Sequence, residues 1–383
     1  MTAAPLSEAL RARAEIDLGA LRANYRALKA LAPRSRLMAV VKAQAYGHGA
    51  VEVARALVGE GCGLFAVATL GEARELRQAG IKERVFLLGG FFAEQADAVV
   101  ELDLTPVIFD LALIAPLEAA ARRFGKSTLA VHLKLDTGAT RLGILPEELE
   151  DAIGLLRRAP HLELEGLATL LANAADPASP VTDRQLAAFG ATLGRLRQSG
   201  FKPIGHVANS AALALRADSH FDIVRPGLSL YGLPPVREVA EKVVLRPVMT
   251  FKARLLQVKR VPAGTGVSYG QTFVTSRPSR IGVVGAGYAD GYRRGLQAGA
   301  HVLVRARRAP VVGAVCMDLT MVDLTEVDGA GAGDEVVLWG TQGDQTISVN
   351  EVARIAQTIS YEMLCTVGRR VERIYRDSGA QQQ

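Results

Sequence analysis

Hydrophobic residues in the first part of the chain alternate between short unbroken runs and amphipathic stretches with apolar positions at helical spacing. The runs are LMAVV, GLFAVAT, RVFLLG, LTPVIF, LAVHLKLD, LEGLATL, IGHVAN and FDIVRPG. Near-continuous apolar strands separated by helices indicate a parallel sheet that is covered on both faces. Eight such runs predict a (β/α)8 TIM-type barrel better than an open, doubly wound sheet, which is the alternative. Because no GxGxxG motif follows the first run, dinucleotide binding has little support.

The pattern changes after about Leu233. The segments FKARLLQVKRV, RIGVVGAGYADGY and DEVVLWG are alternating or β-branched and are interrupted by Gly, Asp and Pro. This pattern is typical of antiparallel β structure. We therefore predict two domains, a barrel over residues 1–240 and a mainly antiparallel β domain over residues 241–383.

Composition narrows the class of protein. The 383 residues are 49% hydrophobic, which is enough for sizeable cores in both domains. The net charge of +6 is scattered along the chain, so we expect no nucleic-acid partner. No apolar run approaches the roughly 18 residues of a membrane span, and the start lacks a signal-peptide pattern. These features predict a cytoplasmic protein that does not bind membranes.

Metal and disulfide chemistry have little support in the sequence. The three cysteines, Cys62, Cys316 and Cys365, are far apart, and no CxxC motif occurs. An odd number of widely spaced cysteines is typical of buried thiols in a reducing compartment. We expect neither a disulfide nor a metal site.

Functional groups of a barrel gather where its strands end. Those ends carry the polar residues Lys42, Lys134, Asp136, Arg141, His206, Asn209, Ser210 and Arg225, followed by Gly227. Lysine is uncommon in this chain, since only nine of the 45 lysine and arginine residues are lysines. A lysine partly removed from water at a barrel mouth can react with a carbonyl group, whereas a purely structural lysine would extend to solvent.

The neighbouring residues favour pyridoxal 5'-phosphate (PLP) as the ligand. Ser210, the Gly227 backbone and Tyr46 are suited to bind a phosphate, and Arg225 can face the pyridine nitrogen. Since arginine cannot accept a proton, that nitrogen would stay unprotonated and the cofactor would be a weaker electron sink. Such a site suits a reaction that moves one proton and suppresses transamination or decarboxylation.

The motifs resemble those of the alanine racemase family, which are PLP enzymes of fold type III. The resemblance covers nearly the whole chain and rests on AVVKAQAYGHG, KLDTGATRLG, HVANSAA, VRPGLSLYG, GVSYGQTF, GYADGY, VCMDLTMVD and ISYEMLC. It implies that Lys42 binds PLP covalently and is the base for the D-enantiomer. Tyr269 is implied to be the base for the L-enantiomer and to act in the partner subunit, which requires a homodimer with shared active sites.

The resemblance also implies roles for the other residues. The phosphate set would be Tyr46, Ser210, Gly227, Leu228 and Tyr361, with Arg225 at the pyridine nitrogen and His206 supporting Arg225. Asn209 would also belong to the cofactor-binding residues. Arg141 and the partner's Met317 would contact the substrate carboxylate. Tyr288 and Tyr361 would form a narrow entrance. Lys134 would carry a carbamate that holds Arg141, because an ammonium beside a guanidinium is repulsive.

The implied function is two-base racemisation of L-alanine and D-alanine, which supplies D-alanine for peptidoglycan. The alternatives are an amino-acid racemase of broader specificity, acting on serine, lysine or similar substrates, and a non-catalytic PLP-binding protein. A D-threonine aldolase shares the fold type but needs a metal site. Two positions depart from the family pattern, Gln44 in place of an asparagine and Leu170 in place of a histidine.

Overall fold

The chain folds into two units, seen in a computed structural model that describes residues 11–378. We call residues 21–45 and 50–246 the barrel unit, and residues 11–20, 46–49 and 247–378 the C-terminal unit.

The strands of both units run as follows: β1 Ala12–Asp17, β2 Arg36–Val40, β3 Leu64–Val67, β4 Arg84–Leu87, β5 Leu104–Ile108, β6 Leu129–Lys134, β7 Leu162–Ala168, β8 Ile204–His206, β9 Ile223–Val224, β10 Met249–Val261, β11 Gly266–Val267, β12 Phe273–Val274, β13 Ser279–Val284, β14 His301–Val304, β15 Arg307–Pro310, β16 Thr320–Asp323, β17 Glu335–Gln342, β18 Gln345–Ile347 and β19 Glu372–Arg376. The helical segments are α1 Leu18–Leu31, α2 Lys42–Tyr46, α3 Ala50–Val58, α4 Leu70–Gln78, α5 Ala96–Glu101, α6 Ile114–Arg123, α7 Leu149–Arg157, α8 Pro180–Gln198, α9 Ser210–Leu215, α10 Arg237–Lys242, α11 Val349–Ile355 and α12 Ser360–Cys365.

The barrel unit is a closed parallel barrel of strands β2 to β9 in sequence order, with helices between consecutive strands. Each of the eight apolar runs forms one strand, so the predicted TIM-type barrel is confirmed. The strands are buried on both faces because side chains fill the interior while helices cover the outside. The closure places all the strand ends at one mouth.

Local signals in the sequence explain where the outer helices begin. Helix α4 starts with a capping box, in which the Thr69 hydroxyl accepts from the Glu72 amide and the Glu72 carboxylate accepts from Thr69. Helix α8 has Ser179 as its N-cap and Pro180 at its first position, where the missing amide hydrogen costs nothing. These caps fix the loops that lead from the mouth into the helices.

The C-terminal unit is built on a mostly antiparallel sheet in the order β15-β14-β17-β10-β1-β19. Strand β13 pairs with β10 and β16, and β18 pairs with β17. Phe251 and Trp339 pack edge to face in its core at 4.7 Å between ring centroids. The predicted β domain is confirmed as a fold class.

Strand β1 is the main feature that the sequence pattern did not predict. It lies early in the chain, yet it pairs antiparallel with β10 and parallel with β19. The predicted domain boundary at residue 240 stays a prediction. Over residues 11–378, no helix combines the length and apolarity needed to cross a bilayer.

Candidate active site

Lys42 lies two residues beyond strand β2, at the mouth of the barrel. Lys42 is exposed in the single chain rather than partly buried as the sequence predicts. Residues 43–46 all have positive φ angles between 52° and 55°, a left-handed turn that non-glycine residues rarely adopt. The Ala43 amide donates to Glu72 at 2.7 Å and the Gln44 amide group donates to Glu75 at 2.5 Å, which stabilises the turn.

Arg225 follows strand β9 and is 8% exposed. Its Nη1 donates to Nδ1 of His206 at 2.7 Å and to the His206 carbonyl at 2.5 Å. Its Nη2 donates to the carbonyl of Thr169 at 2.7 Å. These contacts hold the guanidinium in one place, and burial lowers the pKa of Arg225 to about 10, so the group stays cationic at neutral pH.

Ser210 and the segment after Arg225 form a small cluster of hydrogen-bond donors. The amides of Gly227 and Ser229 both donate to the Ser210 hydroxyl, at 3.0 and 3.3 Å. The fully buried Ser229 hydroxyl has no partner within residues 11–378. Main-chain amides and hydroxyls converging on one point are suited to a phosphate, so this donor set fits the phosphate of PLP. Leu228 lies between the two amides and is buried.

Asn209 has a local structural role. Its side-chain oxygen accepts from the amides of Ala211 and Ala212, both at 3.1 Å, and so caps helix α9. This cap orients the turn that carries Ser210. The cofactor-binding role assigned to Asn209 from the sequence stays a prediction.

Lys134 ends strand β6 and lies among cations. Burial, followed by the charges of Arg225, Arg141 and Lys42, lowers its pKa to about 8. Asp136 opposes this effect only in part. A large share of the Lys134 amine is therefore neutral near pH 8, the form that can react with CO2.

The Asp136 carboxylate orders the loop that presents Arg141. It accepts from four main-chain amides, those of residues 138–140 through Oδ1 and that of Arg141 through Oδ2. Burial raises the pKa of Asp136, but these four hydrogen bonds outweigh it and lower the pKa overall. The carboxylate is thus ionised and committed to the loop, and it does not pair with Lys134.

Tyr46 and Tyr361 lie together in the C-terminal unit, with ring centroids 6.0 Å apart. Burial raises the pKa of both phenols, so both keep their protons and can donate hydrogen bonds. Gly47 allows this approach, since a Cβ there would lie 2.2 Å from the Leu364 carbonyl oxygen. The structure brings together these two members of the predicted phosphate set.

Tyr269, Tyr288 and Met317 project from the C-terminal unit, with exposed fractions of 77%, 44% and 54%. The amides of Tyr288 and Ala289 donate to the carbonyls of Cys316 and Met317, both at 3.0 Å, so Tyr288 and Met317 are neighbours. Large apolar side chains that protrude from a surface are typical of contact sites for another molecule.

Tyr269 sits in a tight turn flanked by Ser268 and Gly270, which have φ angles of 64° and 70°. The Ser268 hydroxyl donates to the Ala314 carbonyl at 2.7 Å and anchors this turn.

Sequence reasoning missed three buried residues near Arg225. Thr169 supplies a main-chain carbonyl, and Gln185 donates to the Leu170 carbonyl at 2.8 Å and accepts from the Ala172 amide at 2.8 Å. His132 lies behind His206. Only His132 had a signal, because it lies two residues before Lys134 and so faces the same side of the strand.

Two family models match most of the chain. Residues 16–235 match the model of the alanine racemase N-terminal domain, and residues 248–375 match that of the C-terminal domain. The chain is 46% identical over 363 residues to an alanine racemase of Symbiobacterium thermophilum, covering 94% of this chain and 96% of that protein. It is 40% identical over 366 residues to an alanine racemase of Methanococcus maripaludis, covering 94% and 98%.

Solved structures agree with this placement. The alanine racemase of Streptomyces coelicolor superposes with a TM-score of 0.92 at 39% identity, covering 97% of this chain and 99% of the other. The alanine racemase of Bartonella henselae, solved with covalently bound pyridoxal phosphate, superposes with a TM-score of 0.87 at 32% identity, covering 96% and 100%. The chain therefore belongs to the alanine racemase family and is an enzyme of that family.

Proposed function

We propose that the enzyme interconverts L-alanine and D-alanine with PLP bound at the barrel mouth and with two bases on opposite faces of the substrate. PLP, when bound, stabilises negative charge at the substrate Cα and so makes the Cα proton removable. The observation that carries the proposal is the Arg225 guanidinium, which is held by His206 and Thr169 and cannot accept a proton. Facing the pyridine nitrogen, this fixed cation would limit charge delocalisation and favour return of the proton to Cα.

The other predicted site residues would divide the remaining tasks. Lys42 would bind the cofactor covalently and move the proton on the D-face. The Ser210 hydroxyl and the amides of Gly227 and Ser229 would bind the phosphate, joined by the phenols of Tyr46 and Tyr361. Carbamylated Lys134 would hold Arg141, which would face the substrate carboxylate.

Tyr269 would move the proton on the L-face of a partner subunit. Its 77% exposure in the single chain supports this assignment, because the side chain is presented outward on a short anchored turn. Met317 would contact the same substrate carboxylate. Tyr288 and Tyr361 would form a narrow entrance to the active site. The working enzyme would thus be a homodimer with two shared sites.

The racemisation assay tests the reaction. Purified enzyme supplied with PLP should form D-alanine from L-alanine and L-alanine from D-alanine. Serine and lysine in the same assay measure breadth, and their turnover at rates equal to alanine would favour the broader racemase. No turnover of any amino acid would favour the non-catalytic alternative and contradict the proposal.

A second experiment tests the attachment of the cofactor. Borohydride reduction followed by peptide mapping should recover PLP on the peptide that contains Lys42. Recovery of the label on another lysine would contradict the assignment.

We further propose that the enzyme works in the cytoplasm and that its D-alanine is used for peptidoglycan.

A further inference from the structure

A row of hydrogen-bonded side chains, which we call the file, runs through the barrel interior. Its members are Arg225, His206, His132 and Glu165. Nη1 of Arg225 lies 2.7 Å from Nδ1 of His206, and Nε2 of His206 lies 2.7 Å from Nδ1 of His132. Nε2 of His132 in turn lies 2.9 Å from Oε2 of Glu165. Both imidazoles have no exposed surface, so every ring nitrogen in the file is paired within the protein.

The chemistry of the two ends fixes the direction of these hydrogen bonds. A guanidinium only donates, so Nδ1 of His206 must accept and Nε2 of His206 must carry the ring hydrogen. That hydrogen can reach only Nδ1 of His132, which leaves the second ring hydrogen on Nε2 of His132. The Glu165 carboxylate, which only accepts when ionised, receives it. Every donor therefore points from Arg225 towards Glu165.

Two residues of the barrel, Gly166 and Phe86, pack against the histidines of this file. Gly166 is paired with His132 across strands β7 and β6, and a Cβ at Gly166 would lie 2.2 Å from the His132 ring. Phe86 packs edge-on against His132 and His206, with ring centroids at 5.0 and 6.3 Å. The glycine makes room for one ring, and the phenylalanine keeps water from both.

Arg84, the first residue of strand β4, holds the other end of the file. Its Nη1 donates to Oε1 of Glu165 at 2.6 Å, its Nη2 pairs with Oε2, and its Nε donates to the Thr105 hydroxyl at 2.7 Å. This bidentate contact keeps Glu165 ionised and directs it at His132. Burial lowers the pKa of both histidines, which agrees with two neutral imidazoles.

We propose that Glu165 is a positioning residue: its carboxylate fixes His132 and His206 as Nε2–H tautomers and so holds Arg225 in the orientation that the cofactor requires. The orientation required by the cofactor rests on the proposed function, whereas the two tautomers do not depend on it. Glu165 acts through two other side chains, far from the reacting atoms.

Replacing Glu165 by glutamine reverses the direction of the file. Arg84 donates to both Glu165 oxygens, so the single oxygen of a glutamine satisfies only one of these N–H groups. We expect that oxygen to accept from Nη1 of Arg84, with the NH2 group at the Oε2 position donating to Nε2 of His132. His132 and His206 then carry their hydrogens on Nδ1, and the Nδ1–H of His206 opposes the N–H of Arg225. The substitution conserves shape, yet it disturbs Arg225 through two intervening rings.

The matched control is Glu118→Gln. Glu118 accepts from Nδ1 of His161 at 2.5 Å in the same unit, with comparable partial exposure, but this pair does not lead to Arg225. Gly166→Ala is a second variant, because it displaces the His132 ring while leaving the Glu165 carboxylate in place.

The test is 15N NMR of the purified enzyme with labelled histidine, since the chain has only six histidines and the ring nitrogen shifts separate the tautomers. We expect Nε2–H for His132 and His206 in the parent enzyme and in Glu118→Gln, and a changed pattern for both rings in Glu165→Gln. A protonated Nδ1 on either ring of the parent, or unchanged rings in Glu165→Gln, would overturn the proposal. This arm gives its answer even if alanine is not the substrate.

The kinetic arm uses the same variants. Glu165→Gln and Gly166→Ala should each lower kcat/KM for alanine roughly 10-fold, which corresponds to about 1.4 kcal/mol. Glu118→Gln should leave kcat/KM within about 2-fold of the parent value. Equal losses in Glu165→Gln and Glu118→Gln would show that Glu165 has only a structural role and would overturn the positioning claim.

Discussion

Nη2 of Arg225 donates to the main-chain carbonyl of Thr169 at 2.7 Å, so the loop after strand β7 helps to hold the guanidinium. Gln185, 1% exposed on helix α8, fixes the next residues of that loop through the Leu170 carbonyl and the Ala172 amide. The position of Arg225 therefore depends on a glutamine that touches neither Arg225 nor the expected ligand. Leu170 is half-buried, and its carbonyl is the group that Gln185 holds.

Gln185→Leu should lower the free energy of unfolding by about 1–3 kcal/mol, because it leaves the part-buried Leu170 carbonyl and Ala172 amide without their side-chain partner. Urea unfolding of the purified enzyme measures the loss. The matched control is Gln198→Leu, an exposed position on the same helix, which should change stability by less than about 0.5 kcal/mol. Equal losses at the two positions would contradict the role assigned to Gln185.

Ser210→Ala should weaken PLP binding by about 10–100-fold, since a hydrogen bond to a charged group contributes about 1.5–3 kcal/mol. Fluorescence titration of the cofactor-stripped enzyme with PLP gives the affinity. Ser219→Ala removes another buried serine hydroxyl, one that donates to the Arg216 carbonyl, and should leave the affinity unchanged. A normal affinity in Ser210→Ala would show that the phosphate binds elsewhere.

Lys134 should carry a carbamate. Burial and the neighbouring cations Arg225 and Arg141 lower its pKa to about 8, so its amine becomes reactive near neutral pH and is protonated as the pH falls further. Enzyme equilibrated with 13C-bicarbonate should show a carbamate resonance in 13C NMR that weakens below about pH 7 and is missing in Lys134→Gln. The same resonance in Lys134→Gln would assign the modification to another residue.

Glu165 should make the enzyme sensitive to acid. Burial raises its pKa, but hydrogen bonds from His132 and Arg84 outweigh that effect and lower the pKa to about 2. A depressed carboxyl pKa contributes stability above the ordinary pKa of 4.5, and this contribution is lost as the pH falls from there towards 2. The stability difference between the parent enzyme and Glu165→Gln should therefore shrink over that window in urea unfolding. A difference that does not change with pH would contradict the assigned pKa.

Sequence reasoning succeeded where a pattern is local. An unbroken apolar run is recognisable within a few residues, so the sequence predicts all eight barrel strands and places the residues at their ends at one mouth. Pairing across long sequence distances has no local signal, which is why β1 beside β10 and β19 was not foreseen. The sequence also does not reveal main-chain acceptors such as the Thr169 carbonyl. Every residue has a carbonyl, and only the fold determines which one accepts from Arg225.

Tyr269→Phe should lower kcat for alanine racemisation by about 10²–10⁴-fold while leaving PLP binding intact, because the ring keeps its packing but loses the group that moves the proton. The cofactor titration and the racemisation assay separate these two effects. A parallel loss of PLP affinity would indicate that Tyr269 binds the cofactor instead.

The central claim is that Lys42 and Tyr269 of two subunits form one site, and a purified mixed dimer tests it most directly. One subunit carries Lys42→Ala and the other Tyr269→Phe, and each variant alone should be inactive as a homodimer. The account predicts that the mixed dimer regains about half the activity of the parent, since one of its two sites has both bases intact. A mixed dimer as inactive as the two homodimers would contradict it, because the two residues would then act within one chain.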